Sequence, residues 1–188
     1  MSKRERILST SDQRREAVIE SAVSMFAKTG YYGTTVADVA QAAGISPAYV
    51  FRLFPTKVEL FVAAIRRCYD SIENALLAIP PASATRSSVA VLEEIGGMYA
   101  QLIGDSTLIQ LQIQAQSVAS IPAIQEAVQQ GLQRFTEEIL QRSGATPEAV
   151  QRLVAYGQLC HLIVVAGLHK IDEPWAKALT SGMVHPQA

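Results

Sequence analysis

Tyr49 and Arg52 stand three residues apart, a spacing that on a helix sets a phenol and a guanidinium on one face. The pair suits a nucleic acid. Arginine can bind guanine O6 and N7 or a phosphate, and the phenol can donate to a phosphate or pack on a sugar or thymine methyl. Ser46, Pro47 and Ala48 lead into this segment. The serine hydroxyl suits a helix cap and proline suits the first helical position, where no N–H is lost. Pro47 and Ala48 are small enough to let backbone approach a duplex, and the free N–H groups of a helix start suit a phosphate. Thr35 and Lys57, opening the preceding and following helices, are placed as further backbone contacts.

Enzymatic chemistry finds no comparable set of residues. Cys160 and His161 are chain neighbours, and neighbours on a helix point about 100° apart, so they cannot form a hydrogen-bonded dyad. His169 and His185 have no metal-ligand spacing with cysteine or acidic residues. Phosphate loop, nucleophile motif and paired carboxylates are all missing. No catalytic residue, metal site or cofactor is expected.

The elements that must position the Tyr49–Arg52 face are helical throughout. Val18, Ala22, Met25 and Phe26 repeat at helical spacing, as do Leu60, Phe61, Ala64, Ile65, Cys68, Ile72 and Leu76, and again Ile124, Val128, Leu132, Phe135 and Ile139. Thr35-Val-Ala-Asp38 and Thr56-Lys-Val-Glu59 place a capping hydroxyl three residues before an acid. Ser46-Pro47 and Thr146-Pro147 mark two more starts, and Gly44 supplies a left-handed stop. The signals predict an all-α chain. Helices are expected at about 12–28, 35–42, 46–52, 56–79, 86–104, 107–119, 122–143, 147–168 and from about 173, with boundaries good to about 2 to 4 residues. The segment 35–52 then reads as helix, three-residue turn and helix, with Val50, Leu53 and Phe54 anchoring the second helix inward.

The run GYYGTTVADVAQAAGISPAYVFRLFPTKVELF, Gly30 to Phe61, closely resembles the N-terminal DNA-binding domain of the TetR family of transcriptional regulators. It carries the glycine-tyrosine entry, the GTT cap, the D-V-A core of the second helix, A-G-I-S at the turn and a lysine opening the fourth helix. The resemblance implies a homodimer on a palindromic double-stranded operator, usually released by a small ligand. Members often carry threonine where this chain has Tyr49, and tyrosine where it has Phe51, that tyrosine touching a phosphate. Phe51 has no hydroxyl, so the contact shifts to Tyr49, and base preference is not carried over from other members.

Charge separates the two ends of the chain. The total of 16 Lys and Arg against 17 Asp and Glu, net -1, argues alone against a uniformly basic nucleic-acid coat. Residues 1–69 hold 10 Lys and Arg against 6 Asp and Glu, and residues 70–188 hold 6 against 11. The N-terminal part, including an arm with Lys3, Arg4, Arg6, Arg14 and Arg15, is the basic one. The resemblance implies domains at 1–55, reading DNA, and at 56–188, for ligand binding and dimerisation.

The second part is apolar, sparsely charged and rich in glutamine. The resemblance implies a regulatory domain here, with the dimer formed through the helices at about 122–143 and 147–168. Met98, Tyr99, Leu102, Gln112, Gln116 and Tyr156 are the candidate pocket residues, apolar walls with a few polar groups, for a hydrophobic or aromatic effector. Cys68 and Cys160, far apart, read as free buried thiols of a reducing compartment. The N-terminus lacks a signal-peptide pattern, and the apolar stretch Leu159–Leu168 falls far short of the roughly 20 residues of a membrane span. A cytoplasmic repressor is expected. The competing reading is a helical small-molecule binding or sequestering protein whose DNA-binding domain no longer functions.

Overall fold

A computed structural model describes residues 10–102 and 107–182. Its helices are α1 (Thr10–Gly33), α2 (Val36–Ala42), α3 (Pro47–Leu53), α4 (Lys57–Leu77), α5 (Ser88–Leu102), α6 (Thr107–Ser117), α7 (Pro122–Ser143), α8 (Pro147–Val165) and α9 (Pro174–Thr180). Among the described residues the fold is all-α, as the periodicity predicts. Lys3, Arg4 and Arg6 of the basic arm, the end of the helix expected to reach 104, and His185 lie outside the described residues.

Local chemistry sets most boundaries. Thr35 and Thr56 each accept from the backbone N–H three residues on, at 3.1 Å, and Asp38 and Glu59 reach back to the cap N–H groups. Ser46 and Thr146 cap α3 and α8 with proline behind them. Gly44 has φ 67°, the left-handed geometry the turn demands.

Two ends differ from expectation. The helical run of α1 continues past 28 to a break at Gly30, with φ 73° and ψ 176°, where buried Thr34 donates its hydroxyl to the Gly30 carbonyl at 2.8 Å. The α8 helix stops at Val165 instead of 168, because Gly167 turns left-handed and a 3-10 turn, Leu168–Lys170, follows.

One core joins the N-terminal helices to α6 and α7. Val18, Ala22, Phe26, Val39, Val50 and Phe61 pack in the same cluster as Leu111 and Ala115 of α6 and Ile124 of α7. Phe26 and Phe61 meet at 4.6 Å between ring centroids, and burying each contributes roughly 1.5 to 3 kcal/mol. A second cluster, with Leu76, Val91, Ile95, Ile139 and Val150, ties α4, α5, α7 and α8 together. Helix α7 approaches α4 closely because Gly131 has no side chain, a Cβ there falling 2.2 Å from the ring of Tyr69. Arg134 on α7 also bridges Asp70 and Glu73 on α4, both at 2.9 Å. These pairs are half exposed and contribute at most about 1 kcal/mol each, so packing dominates.

Candidate nucleic-acid interface and effector cavity

Helix α3 divides its residues between core and solvent. Val50 and Phe54 are buried and Leu53 is half-buried against the first core cluster, while Pro47, Ala48, Phe51 and Arg52 are exposed. Tyr49 and Lys57 are half-buried, and Thr35 and Ser46 are exposed. None of the seven residues singled out for DNA contact is buried.

The Tyr49 ring lies between two cations. The guanidinium of Arg52 is 4.3 Å from the ring centroid and that of Arg14, from α1, is 5.7 Å away. Hydrogen bonding from Arg52 and Arg14, with a smaller share from Ser11, holds the phenol below its ordinary pKa. Arg14, noted in the sequence only as part of a basic arm, is therefore brought onto the α3 face. Lys57 sits with its ammonium 4.6 Å over the ring of Tyr31.

Thr35 is more committed than its type suggests. Its hydroxyl donates to Asp38 Oδ2 at 2.7 Å and accepts from the Asp38 N–H at 3.1 Å. Donation to Asp38 Oδ2 from that hydroxyl and from the Thr35 backbone N–H, each at 2.7 Å, holds the Asp38 carboxyl below its ordinary range. With its only hydrogen engaged, Thr35 can donate to a phosphate only by giving up that bond. The Ser46 hydroxyl accepts from the Tyr49 N–H at 3.3 Å and keeps its own hydrogen available.

A cavity of about 740 Å³ opens among α4, α5, α6, α7 and α8. Tyr99, Gln112 and Tyr156 of the expected pocket residues line it. The other three do not. Met98 packs into the second core cluster, Leu102 into the first, and Gln116 is exposed, donating to Gln158 at 3.3 Å. Tyr69, Ile95, Leu132, Phe135 and Leu153 supply further wall that the pattern did not single out. The adjacent Gly96 and Gly97, both on the wall, are the sequence signal that a search for space inside a helix bundle would have used.

Three polar side chains meet at this wall. The Tyr99 oxygen lies 2.6 Å from His161 Nε2, and Gln112 Nε2 donates to it at 3.3 Å and to the Leu108 carbonyl at 3.4 Å. His161 is buried, and burial pushes its pKa down to about 4. Burial likewise raises the Tyr99 and Tyr69 phenols and pushes the Cys68 thiol up to about 12. This polar cluster is uncharged at neutral pH. Glu93 and Arg152, both exposed, are the charged residues among those lining the cavity.

The outer faces of the last long helices differ in character. On α7 the exposed positions beyond Ala123 are Gln125, Glu126, Gln129, Gln130, Gln133, Arg134, Glu137 and Gln141. On α8, Ala155, Leu162 and Ala166 are exposed in one stripe with half-buried Leu159, and Trp175 of α9 is 55% exposed. Cys68 and Cys160 are free and buried, and among the described residues no helix is long and apolar enough to cross a membrane and no cluster of His, Cys, Asp and Glu could hold a metal.

Residues 18–64 match the family described as bacterial regulatory proteins, tetR family. The curated relatives include the negative transcriptional regulator IcaR of the biofilm operon icaADBC from Staphylococcus aureus, 27% identical over 63 residues, which are 34% of each chain. They also include the transcriptional regulator BetI of Rhizobium meliloti, 30% identical over 80 residues, 42% of this chain and 39% of BetI. The chain matches little more than a third of the length of these relatives. Among solved structures, a TetR-family member from Streptomyces coelicolor A3 superposes with TM-score 0.68 at 22% identity, over 89% of this chain and 96% of that one. The multidrug binding protein EbrR, in complex with imidazole, superposes with TM-score 0.67 at 18% identity over the whole of both chains. These structures share the fold.

Proposed function

We propose, from the match of residues 18–64 to the tetR family of bacterial regulatory proteins, that the chain is a ligand-responsive transcriptional repressor of that family. It binds a palindromic operator as a homodimer and is released by a small, largely apolar effector. The exposed Tyr49–Arg52 face of α3, backed by Arg14, carries this reading. In it, α3 enters the major groove, Arg52 reaches a guanine edge or phosphate, Tyr49 takes a phosphate or a thymine methyl, and Ser46, Lys57 and the α3 start hold the backbone. Residues 1–55 are the reading part and 56–188 the regulatory part, working in the cytoplasm without an enzymatic step.

Helix α6 supplies the link between the two parts. Gln112 faces the cavity, while Leu111 and Ala115 pack in the core shared with α1. Gln114 stands so close to Gly30 of α1 that a Cβ there would fall 2.5 Å from its side-chain oxygen. An effector that displaces α6 therefore displaces α1 and the α3 it supports. Such a ligand acts by favouring a spacing of the two α3 helices that no longer fits two successive grooves about 34 Å apart. IcaR is named a negative regulator, which supports the direction of control.

The second copy docks, in this reading, on the stripe of Ala155, Leu159 and Leu162 on α8 that runs to its C-cap Ala166. Helix α7, expected to share the interface, would meet the partner with a polar outer face of glutamines, Arg134 and Glu137. The test is a pair of titrations on the Tyr49→Ala, Arg52→Ala double variant. It loses binding to the DNA flanking its own gene and keeps the affinity of an apolar fluorescent probe for the cavity. Unchanged DNA binding would favour a sequestering protein with an idle DNA-binding domain.

A further inference from the structure

We propose that the cavity selects a neutral, largely apolar molecule carrying a carbonyl-type oxygen, which accepts the hydroxyl hydrogen of Tyr99. This rests on the reading of the cavity as the effector site and adds the chemistry of the effector. The argument follows the hydrogens. His161 Nδ1 is buried with no partner in the structure. A buried N–H left without an acceptor costs about 1 to 3 kcal/mol, and orphaned N–H groups are rarer than under-used acceptors. The imidazole hydrogen is therefore on Nε2, where it donates to the Tyr99 oxygen at 2.6 Å.

Gln112 is oriented by a carbonyl. Its Nε2 lies 3.4 Å from the Leu108 oxygen, which can only accept, and the same nitrogen donates to Tyr99 at 3.3 Å. The Tyr99 oxygen thus accepts from two neighbours. Its own hydrogen is left with Gln112 Oε1 at 3.5 Å, well beyond the usual 2.5 to 3.0 Å of an O–H···O bond. Tyr99 and Gln112 both line the cavity, so this weakly held hydrogen stands at its wall.

The polar cluster itself carries no charge for an ionised ligand to pair with. Neutral Tyr99 and neutral His161, with its pKa near 4, offer a carboxylate no counter-ion and a cation no anion at this wall. The cavity's Glu93 and Arg152 are exposed. A neutral acceptor satisfies Tyr99 without that desolvation cost. The aromatic walls, Tyr69 and Phe135, accept the apolar remainder.

The experiment compares 2-acetylnaphthalene, 2-isopropylnaphthalene and 2-naphthoate on the full chain and on Tyr99→Phe, by fluorescence titration and by the carbonyl stretch of the bound ketone. In the unaltered protein the stretch falls below its value in cyclohexane, and naphthoate binds more weakly than the ketone. Tyr99→Phe weakens the ketone roughly three- to tenfold and moves the hydrocarbon less than twofold. An unshifted stretch, equal weakening of ketone and hydrocarbon, tighter binding of naphthoate, or selective loss of the ketone on Tyr69→Phe instead would overturn the assignment. Should the hydrocarbon bind and the ketone gain nothing from Tyr99, the effector-cavity reading stands without this inference. Failure of all three probes to bind the unaltered protein would overturn both.

Discussion

The guanidinium of Arg52 lies 4.3 Å from the centre of the Tyr49 ring, one helical turn away on α3. The contact stiffens both side chains before any partner arrives. A preorganised pair loses less freedom on binding than two solvated side chains would.

Single substitutions on this face should therefore act on DNA affinity and not on folding. Arg52→Ala is expected to weaken operator binding by roughly five- to 150-fold, the range of one good base or phosphate contact. Lys57→Ala should weaken binding evenly across sequences and lower the slope of log affinity against log salt by about 1. Fluorescence anisotropy at several salt concentrations separates the two, and an unchanged slope for Lys57→Ala would remove it from the phosphate contacts.

Loss of the capping hydroxyl at Thr35 has a structural cost first. Thr35→Ala removes a bond to the Asp38 N–H and the donor to its carboxylate, and should cost about 1 kcal/mol in urea unfolding. Thr35→Ser keeps the capping oxygen. If the serine variant matches the original in stability and DNA affinity, the hydroxyl acts through the start of α2.

Gly131 tests the α4–α7 contact. Alanine there must push aside the Tyr69 ring, which is buried and also lines the cavity. We expect Gly131→Ala to destabilise by roughly 1 to 3 kcal/mol and to weaken an apolar cavity probe. Tyr69→Leu in the same chain should recover part of the stability. Unaltered unfolding of the single variant would mean that α7 shifts without resistance.

His161 gives a pH dependence whose sign is fixed by burial. Its pKa falls from 6.5 to about 4 on folding, so between those values the unfolded chain binds more protons than the folded one. Stability from this group is full above about pH 6.5 and is lost as pH falls through 4, on the order of 3 kcal/mol in all. Comparing the original protein with His161→Gln by urea unfolding across that window isolates it. An identical slope for the two proteins would contradict the buried neutral imidazole.

Most of the helix starts were legible in the sequence because their causes are local. Thr35 with Asp38, Thr56 with Glu59, and Ser46 and Thr146 before proline each act within a single turn. The inward set of α3 was legible too, since Val50, Leu53 and Phe54 can be told from Tyr49 and Arg52 by polarity. The cavity was only half legible. A helix face packed on core and one facing a cavity have the same period, so Tyr99 and Gln112 could not be told from Leu102 and Met98. His161 is hidden for another reason: its partner, Tyr99, is 62 positions away in the chain, and only the fold brings them to 2.6 Å. Arg14 of α1 likewise meets Tyr49 of α3 only through the fold.

The central claim, a dimer that reads two half-sites with α3, is tested most directly by a hydroxyl-radical footprint of the purified protein on the DNA flanking its own gene. The account predicts two protected patches on one face of the duplex, related by a palindrome and centred about 34 Å apart or a multiple of it, both lost in Arg52→Ala. A single patch, or uniform protection that Arg52→Ala leaves in place, would contradict it.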